Sequence, residues 1–221
     1  MRLSWSIWLG ATVLTILYVV AGYIASSPDT VRLTLEPGYS TQVRLYRFAE
    51  DQLRMRLIFQ NDHSRRRPEL GRYRTRSDSD WRTTGLLKFD DPGSAIRIVA
   101  SMPDAAAVDF EALPNSAHSE FKIERNLTAG RSISPGVWQW PPTSKGLKLQ
   151  PGTNIVKIEV LAVERPLVGE DVELSVNPAL GFYNLMPDVG WLWPSLLWPV
   201  FAIILAVWAF ALRRRNQAHM S

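Results

Sequence analysis

Two long stretches of the chain carry no charge, and between them polar and apolar residues alternate. The first stretch is the 26 residues between Arg2 and Asp29, which include Trp5, Ile7, Trp8, Leu9, Leu14, Ile16, Leu17 and Val20. The second is the 24 residues between Asp188 and Arg213, opened by Trp191, Trp193 and Trp198 and continued by an apolar run to Leu212. About 20 mostly apolar residues suffice to cross a bilayer, so each stretch predicts a transmembrane helix.

The first helix is expected over 1–27 as an uncleaved anchor. A signal-peptide cut after Ala25 would place bulky Tyr23 three residues before the scissile bond, and a cut after Ser27 would be followed by Pro28. Neither suits signal cleavage. The second helix is expected over 189–212, with a short basic tail over 213–221. Pro194 is tolerable near a helix start, where its missing N–H would be unpaired anyway, and Pro199 is expected to kink the helix or set its true start. Indole rings favour the headgroup level, so Trp5, Trp8, Trp191, Trp193 and Trp198 are candidate membrane-interface anchors.

Residues 28–188 read as strand. Val31, Leu33 and Leu35 alternate with Arg32, Thr34 and Glu36, and Leu53, Met55, Leu57 and Phe59 follow the same period. Such alternation marks strands with one buried face. Val156 to Val163 is apolar on both phases apart from Lys157 and Glu159, which predicts a central strand. Turn signals at Pro37-Gly38, Asp91-Pro92-Gly93, Pro135-Gly136 and Pro151-Gly152 punctuate the pattern. The expected fold is all-β: an antiparallel β-sandwich, Ig-like or jelly-roll-like, of nine to eleven strands between two transmembrane helices. Two segments depart from the rhythm. Asp62 to Arg82 is rich in arginine and predicts an exposed loop or splayed hairpin, and Ser134 to Thr143 is a proline-rich aromatic loop.

Charge changes the picture in one respect. The chain has a formal net charge of +4, which invites a nucleic-acid partner. From Ser26 to Gly190, however, 16 Arg and 5 Lys face 21 acidic residues. The excess is Arg2, Arg213, Arg214 and Arg215, at the outer ends of the two apolar runs. A nucleic-acid binder would carry it on the folded domain. By the positive-inside bias these four arginines belong in the cytoplasm. The expected location is a bacterial inner membrane, with both termini cytoplasmic and the central domain periplasmic.

Candidate chemistry is sparse. Cysteine is absent, which excludes disulfides, thiolate metal sites and a cysteine nucleophile. His63 and His118 are the only histidines between the spans, too few for a metal centre, and no Gly-x-Ser-x-Gly or glycine-rich phosphate loop occurs. No catalytic residue, metal or cofactor is expected, and an enzyme is not. Arg65, Arg66, Arg67, Arg72, Arg74 and Arg76 are candidate contacts for lipid phosphate, an acidic glycan or an acidic partner surface, since guanidinium binds carboxylate and phosphate bidentately. Trp138 and Trp140, at i and i+2, would face the same way on an extended segment and are candidate contacts for a glycan ring or a partner groove. The bland alternatives are a solvated, locally paired arginine loop and two indoles that cap the core.

Two spans with little mass on the cytoplasmic side imply a non-catalytic accessory or structural subunit of a bacterial cell-envelope membrane complex. Its spans would pack on a polytopic membrane-protein partner within the lipid bilayer, with Gly10, Ala11, Ala21 and Gly22 as close-contact positions. The β-domain would cover or guide the partner's periplasmic face. The alternative is a periplasmic glycan-handling module of a polysaccharide synthesis or export system. A sensor is a third reading, opposed by the short tail.

Overall fold

The computed structural model describes residues 2–61, 66–181, 184, 185 and 188–218. They divide into two compact units, Pro28–Asn177 and the pair Met1–Ser27 with Pro178–Ser221.

In the first of these units the alternation seen in the sequence becomes β1 (Asp29–Thr34), β2 (Ser40–Arg47), β3 (Asp51–Gln52), β4 (Met55–Gln60), β5 (Arg72–Thr75), β6 (Leu86–Asp91), β7 (Ile96–Met102), β8 (Ala105–His118), β9 (Lys122–Ala129), β10 (Val137–Gln139), β11 (Lys148–Leu149), β12 (Gly152–Val163) and β13 (Asp171–Val176). Eight of them form one antiparallel sheet in the order β1–β13–β4–β9–β8–β7–β12–β2. Its edges, β1 and β2, are consecutive in the chain and run beside each other without a ladder. The sheet therefore curls nearly into a barrel, which leaves little of either edge open. A mostly β domain with a large antiparallel sheet is what the alternation predicts, although the strand order describes one curled sheet.

The core follows from the period of two. Leu33, Leu45, Met55, Leu57, Phe59, Ile96, Ile98, Phe110, Val156, Ile158, Val160, Leu174 and Val176 all lie inside the curl. β12 is paired on both sides, to β2 and β7, and buries Val156, Ile158 and Val160 on one face while Ile155 and Leu161 are exposed. A second, smaller core lies under a three-stranded sheet, β10–β6–β5, where Leu87, Phe89, Leu113 and Trp138 are buried with Trp140 packed against them. The arginine-rich segment contributes to this small sheet. β5 pairs with β6, and the connection carries a one-turn helix, Trp81–Thr84, whose first amides are capped by Asp80.

The other unit holds two long helices, Arg2–Ser26 and Trp198–Ala218, both long and apolar enough to cross a membrane. Counting Trp81–Thr84 as α2, these are α1 and α3. At 1.5 Å per residue they measure about 37 and 31 Å. A 3₁₀ segment, Gly190–Leu197, precedes α3 and contains Pro194. Pro199 falls in the first turn of α3, so it marks the start of the α-helix and kinks nothing. The two helices pack antiparallel. Trp8 Nε1 donates to the carbonyl of Leu205 at 2.9 Å, and the Tyr18 hydroxyl donates to the carbonyl of Trp191. Gly22 permits the closest approach: a Cβ there would lie 1.7 Å from Ser195 Oγ.

Candidate functional site

The feature of the β unit richest in chemistry begins with a proline. Pro114 sits inside β8, where it has no N–H to give to a neighbour, and prolines within sheets are confined to edges and bulges. The ladder between β8 and β9 slips accordingly between Ala112 and Asn115. The bulge turns the carbonyls of Ala112 and Leu113 away from the ladder, and Arg125 on β9 collects them. Its Nε donates to Leu113 O at 2.8 Å and its Nη2 to Ala112 O at 3.1 Å. The same guanidinium reaches the loop between β6 and β7, donating to Ser94 O at 2.7 Å and Pro92 O at 3.3 Å. Four of its five N–H groups are thus committed to backbone.

Arg125 is fully buried, on the same face of β9 as Ile123 and Leu127. Burial draws its pKa down to about 10, offset by the charges of Glu111, Glu164 and Asp91. It stays protonated at neutral pH. A buried charge is tolerated when its hydrogen bonds are made, and here they are made to the carbonyls the bulge would otherwise strand.

The loop that receives Arg125 is itself held by a backbone contact. Gly71 and Gly93 both take positive φ (+68° and +66°), and a Cβ on Gly93 would lie 2.5 Å from Gly71 N. Only glycine permits this conformation at such a distance. Ser94 N donates to Glu69 O at 2.7 Å beside it.

Against this frame, where β7 begins and β12 ends, lies a cavity of about 300 Å³. Its walls are Pro92, Gly93 and Ala95, Glu111 and Ala112, Arg125, the segment Ser132–Gly136, Trp138 and Glu164. Glu111 is buried and accepts from Ser132 N at 2.9 Å and Ser132 Oγ at 2.7 Å. Trp138 is 4% exposed, and its indole N–H has no hydrogen-bond acceptor. A larger, open groove of about 610 Å³ lies over β1, β13 and β4, beside Arg32, Ile58 and Glu173, but no buried polar atom there lacks a partner. Among the described residues no group of three metal-ligating side chains occurs.

The sequence-level candidates fall in different places. Trp138 is buried on Phe89, ring centroids 5.4 Å apart at 76°, and Trp140 is half-buried against the same small core. The two indoles therefore present no open coplanar platform, because β10, which carries Trp138, and Trp140 just after it close a core. Of the arginines, Arg65 lies outside the described residues, as do Asp62 and His63. Arg67 is half-buried and holds both Glu69 and Glu170, the latter through Nη2 at 2.7 and 3.0 Å. Burial lowers its pKa, but the hydrogen bonds it donates to the two carboxylates outweigh this and raise it. It joins the stretch before β5 to the turn before β13, so it is a structural cross-link. Arg72 and Arg74 lie on the exposed strand β5, with Arg74 3.6 Å from Asp90, and Arg76 pairs with Asp78 at 3.1 Å. Arg66 is exposed. The five described ones do not form one cluster of free cations.

In the helical unit, Trp191 and Trp198 are well exposed and Trp193 is partly so. Trp5 and Trp8 stack edge to face at 5.6 Å, and the Trp8 donor is used within the helix pair. Because α1 and α3 run antiparallel, Arg2 and Arg213–Arg215 lie at the same end, where Arg214 stacks on Phe210 at 4.6 Å.

Sequence reasoning missed the Arg125 frame and the cavity. The signal was Pro114 within a strand pattern, with Arg125 at a position where its neighbours in phase are apolar.

No protein-family model matches the chain, and no curated protein matches it. Among solved structures, the chain is similar to a crystal structure of a protein from Sulfurospirillum deleyianum, at 15% identity over 69% of this chain and 97% of that one, with a TM-score of 0.39. A likeness this low carries no argument.

Proposed function

We propose that the chain is a non-catalytic accessory subunit of a bacterial cell-envelope membrane complex. α1 and α3 cross the inner membrane as an antiparallel pair with both termini cytoplasmic. They pack on a polytopic partner, and the β-domain lies in the periplasm over that partner's outer face. The sandwich description belongs with this reading, as two walls of the curled sheet that face each other across the core.

One observation carries the proposal. α1 touches α3 through Trp8 and the 3₁₀ segment before it through Tyr18 and Gly22, along one narrow side, while Ile7, Leu14, Leu17, Ile203, Ile204 and Val207 stay more than half exposed. Such side chains need lipid or other helices around them. Gly10 has open space over it, so small-residue contact remains available for a partner helix. The charges support the orientation, since all of the excess positive charge lies at one end of the pair.

Affinity purification of the full chain in a mild detergent tests this. A polytopic membrane protein at fixed stoichiometry is the expected result. A monodisperse single chain, unchanged across several mild detergents, would overturn it.

A further inference from the structure

We propose that the β unit opens along the seam between β1 and β2, and that Arg47 is the latch that holds this seam shut. The inference comes from what joins the two edges and what does not.

Among the described residues no ladder joins them. β1 pairs with β13 and β2 with β12. At one end the chain itself bridges the seam through the turn at Pro37-Gly38, where Gly38 N donates to Val160 O and Leu35 N to Glu170 O. At the other end stand Arg47, the last residue of β2, and Asp29, the first of β1. Between these ends the edges meet through packing of side chains such as Leu33, Val43 and Leu45. A line without backbone pairing is where local opening costs least.

Arg47 crosses the end that the chain does not bridge. It is in phase with Val43 and Leu45 on the inner face and is 3% exposed. Its Nη2 donates to the carbonyl of Asn177, just past β13, at 3.0 Å, and its Nη1 lies 3.9 Å from Asp29 Oδ2. Nη1 also donates to Tyr46 O, within β2 itself. The unit runs from Pro28 to Asn177, so Arg47 sits where the chain enters and leaves it.

The latch is incompletely satisfied, which makes it releasable. Arg47 Nε lies 3.3 Å from Asp51 Oδ2, yet neither atom makes a hydrogen bond. Arg54 lies 3.4 Å from the other oxygen of Asp51 and brings a like charge. Burial draws the pKa of Arg47 down, against the pull of Asp51 and Asp29. A buried charge with part of its hydrogen bonding unmade is costly. Arg125 is the contrast, with four N–H groups bound to carbonyls. One buried arginine fixes a frame; the other holds a seam by one hydrogen bond and one long ion pair.

The test uses the full chain in detergent, where the lack of native cysteine lets a single thiol report. Leu45→Cys in β2 and Ile98→Cys in β7 replace fully buried residues of equal size, and each is labelled without denaturant by dithiobis-nitrobenzoate. Opening at the seam uncovers position 45 and spares position 98, so the first should react at least about tenfold faster. Arg47→Met removes the latch from the closed state and should speed labelling at 45 about tenfold. Asp29→Lys, at the partly exposed start of β1, sets a like charge against the guanidinium and should speed it about fivefold. Arg125→Met weakens the whole unit, but its contacts survive opening of the seam, so labelling at 45 should stay within about twofold of the parent. Thermal melts establish which variants fold, and either seam variant suffices. Equal labelling at 45 and 98 would overturn the proposal. So would labelling at 45 left unchanged in a folded seam variant, or sped as much by Arg125→Met as by Arg47→Met or Asp29→Lys.

Discussion

Arg125 donates through Nε to the carbonyl of Leu113 at 2.8 Å, the residue whose place in the ladder Pro114 disrupts. A proline on one strand and an arginine on the next are thus two halves of one device. The proline frees carbonyls and the arginine satisfies them.

Arg125→Met keeps the length and apolar stem of the side chain while leaving the three buried carbonyls of Leu113, Ala112 and Ser94 and the part-buried one of Pro92 without their donor. A loss of about 3–5 kcal/mol is expected, in line with unmade hydrogen bonds to a buried charged group. Arg125→Lys should recover less than half of it, since one ammonium cannot span the fork that reaches Leu113, Ala112, Ser94 and Pro92. Urea unfolding of the purified chain measures both. Equal stability of the Lys variant and the parent would contradict the device.

Gly93→Ala tests the loop that receives Arg125. The Cβ would sit 2.5 Å from Gly71 N at a φ of +66°, so both strain and a clash with backbone follow. A destabilisation of about 2 kcal/mol or more is expected. Gly130→Ala, at positive φ but in open space, should cost only about 1 kcal/mol. Similar losses at the two sites would show that the close backbone approach is not what matters at Gly93.

Gly22→Ala tests the helix pair. The built Cβ lies 1.7 Å from Ser195 Oγ and 2.4 Å from its Cβ, so the helices must part. Overpacking of this kind costs about 1–3 kcal/mol. Adding Ser195→Gly should recover much of that loss, beyond what the two single variants predict by addition. The measurement is the melting midpoint in detergent for the four chains of the cycle. Strict additivity would contradict the contact.

Asp78 and Asp80 give a pH signature in the arginine-rich segment. Asp78 lies below its ordinary 3.8 because Lys88 donates to it, with the charge of Arg76 adding. Asp80 lies below 3.8 because Thr83 donates to it as the helix cap. A carboxylate with a depressed folded pKa stabilises fully above its unfolded value and loses that contribution as pH falls through the folded one. Protection of the 79–85 amides, referenced to core amides of β12, should therefore fall as pH drops from about 4 to about 2. Flat relative protection over that window would contradict these contacts.

Much of the architecture is legible in the sequence for simple reasons. Uninterrupted apolar runs of such length read as helices able to cross a membrane, and a period of two specifies which face of a strand is buried. The apolar run of β12 does not mark a central strand, since β12 lies next to the edge strand β2 and buries one face. Closure of the sheet is not legible, because the pairing of β1 with β13 and of β2 with β12 joins residues far apart in the chain. Trp138 in β10 and Trp140 just after it pack on the same small core, but spacing cannot say whether a shared face looks at solvent or at Phe89. Arg67 and Arg72 look equivalent in the sequence, yet one is tied to Glu170 a hundred residues away and the other lies on an exposed strand. Arg125 stays hidden because a charged residue in an apolar phase reads as an interruption until the bulge opposite it is seen.

In the proposed topology one domain stands between two spans, with both ends of the chain on the other side of the membrane. The chain has no cysteine, so single cysteines report cleanly. Gln150→Cys, in the β-domain, and Gln217→Cys, in the last turn of α3 past Arg213–Arg215, are both exposed positions. In intact cells a membrane-impermeant maleimide should label Cys at 150 and leave Cys at 217 unlabelled until the membrane is broken. Labelling of both positions in intact cells, or of 217 alone, would contradict the account.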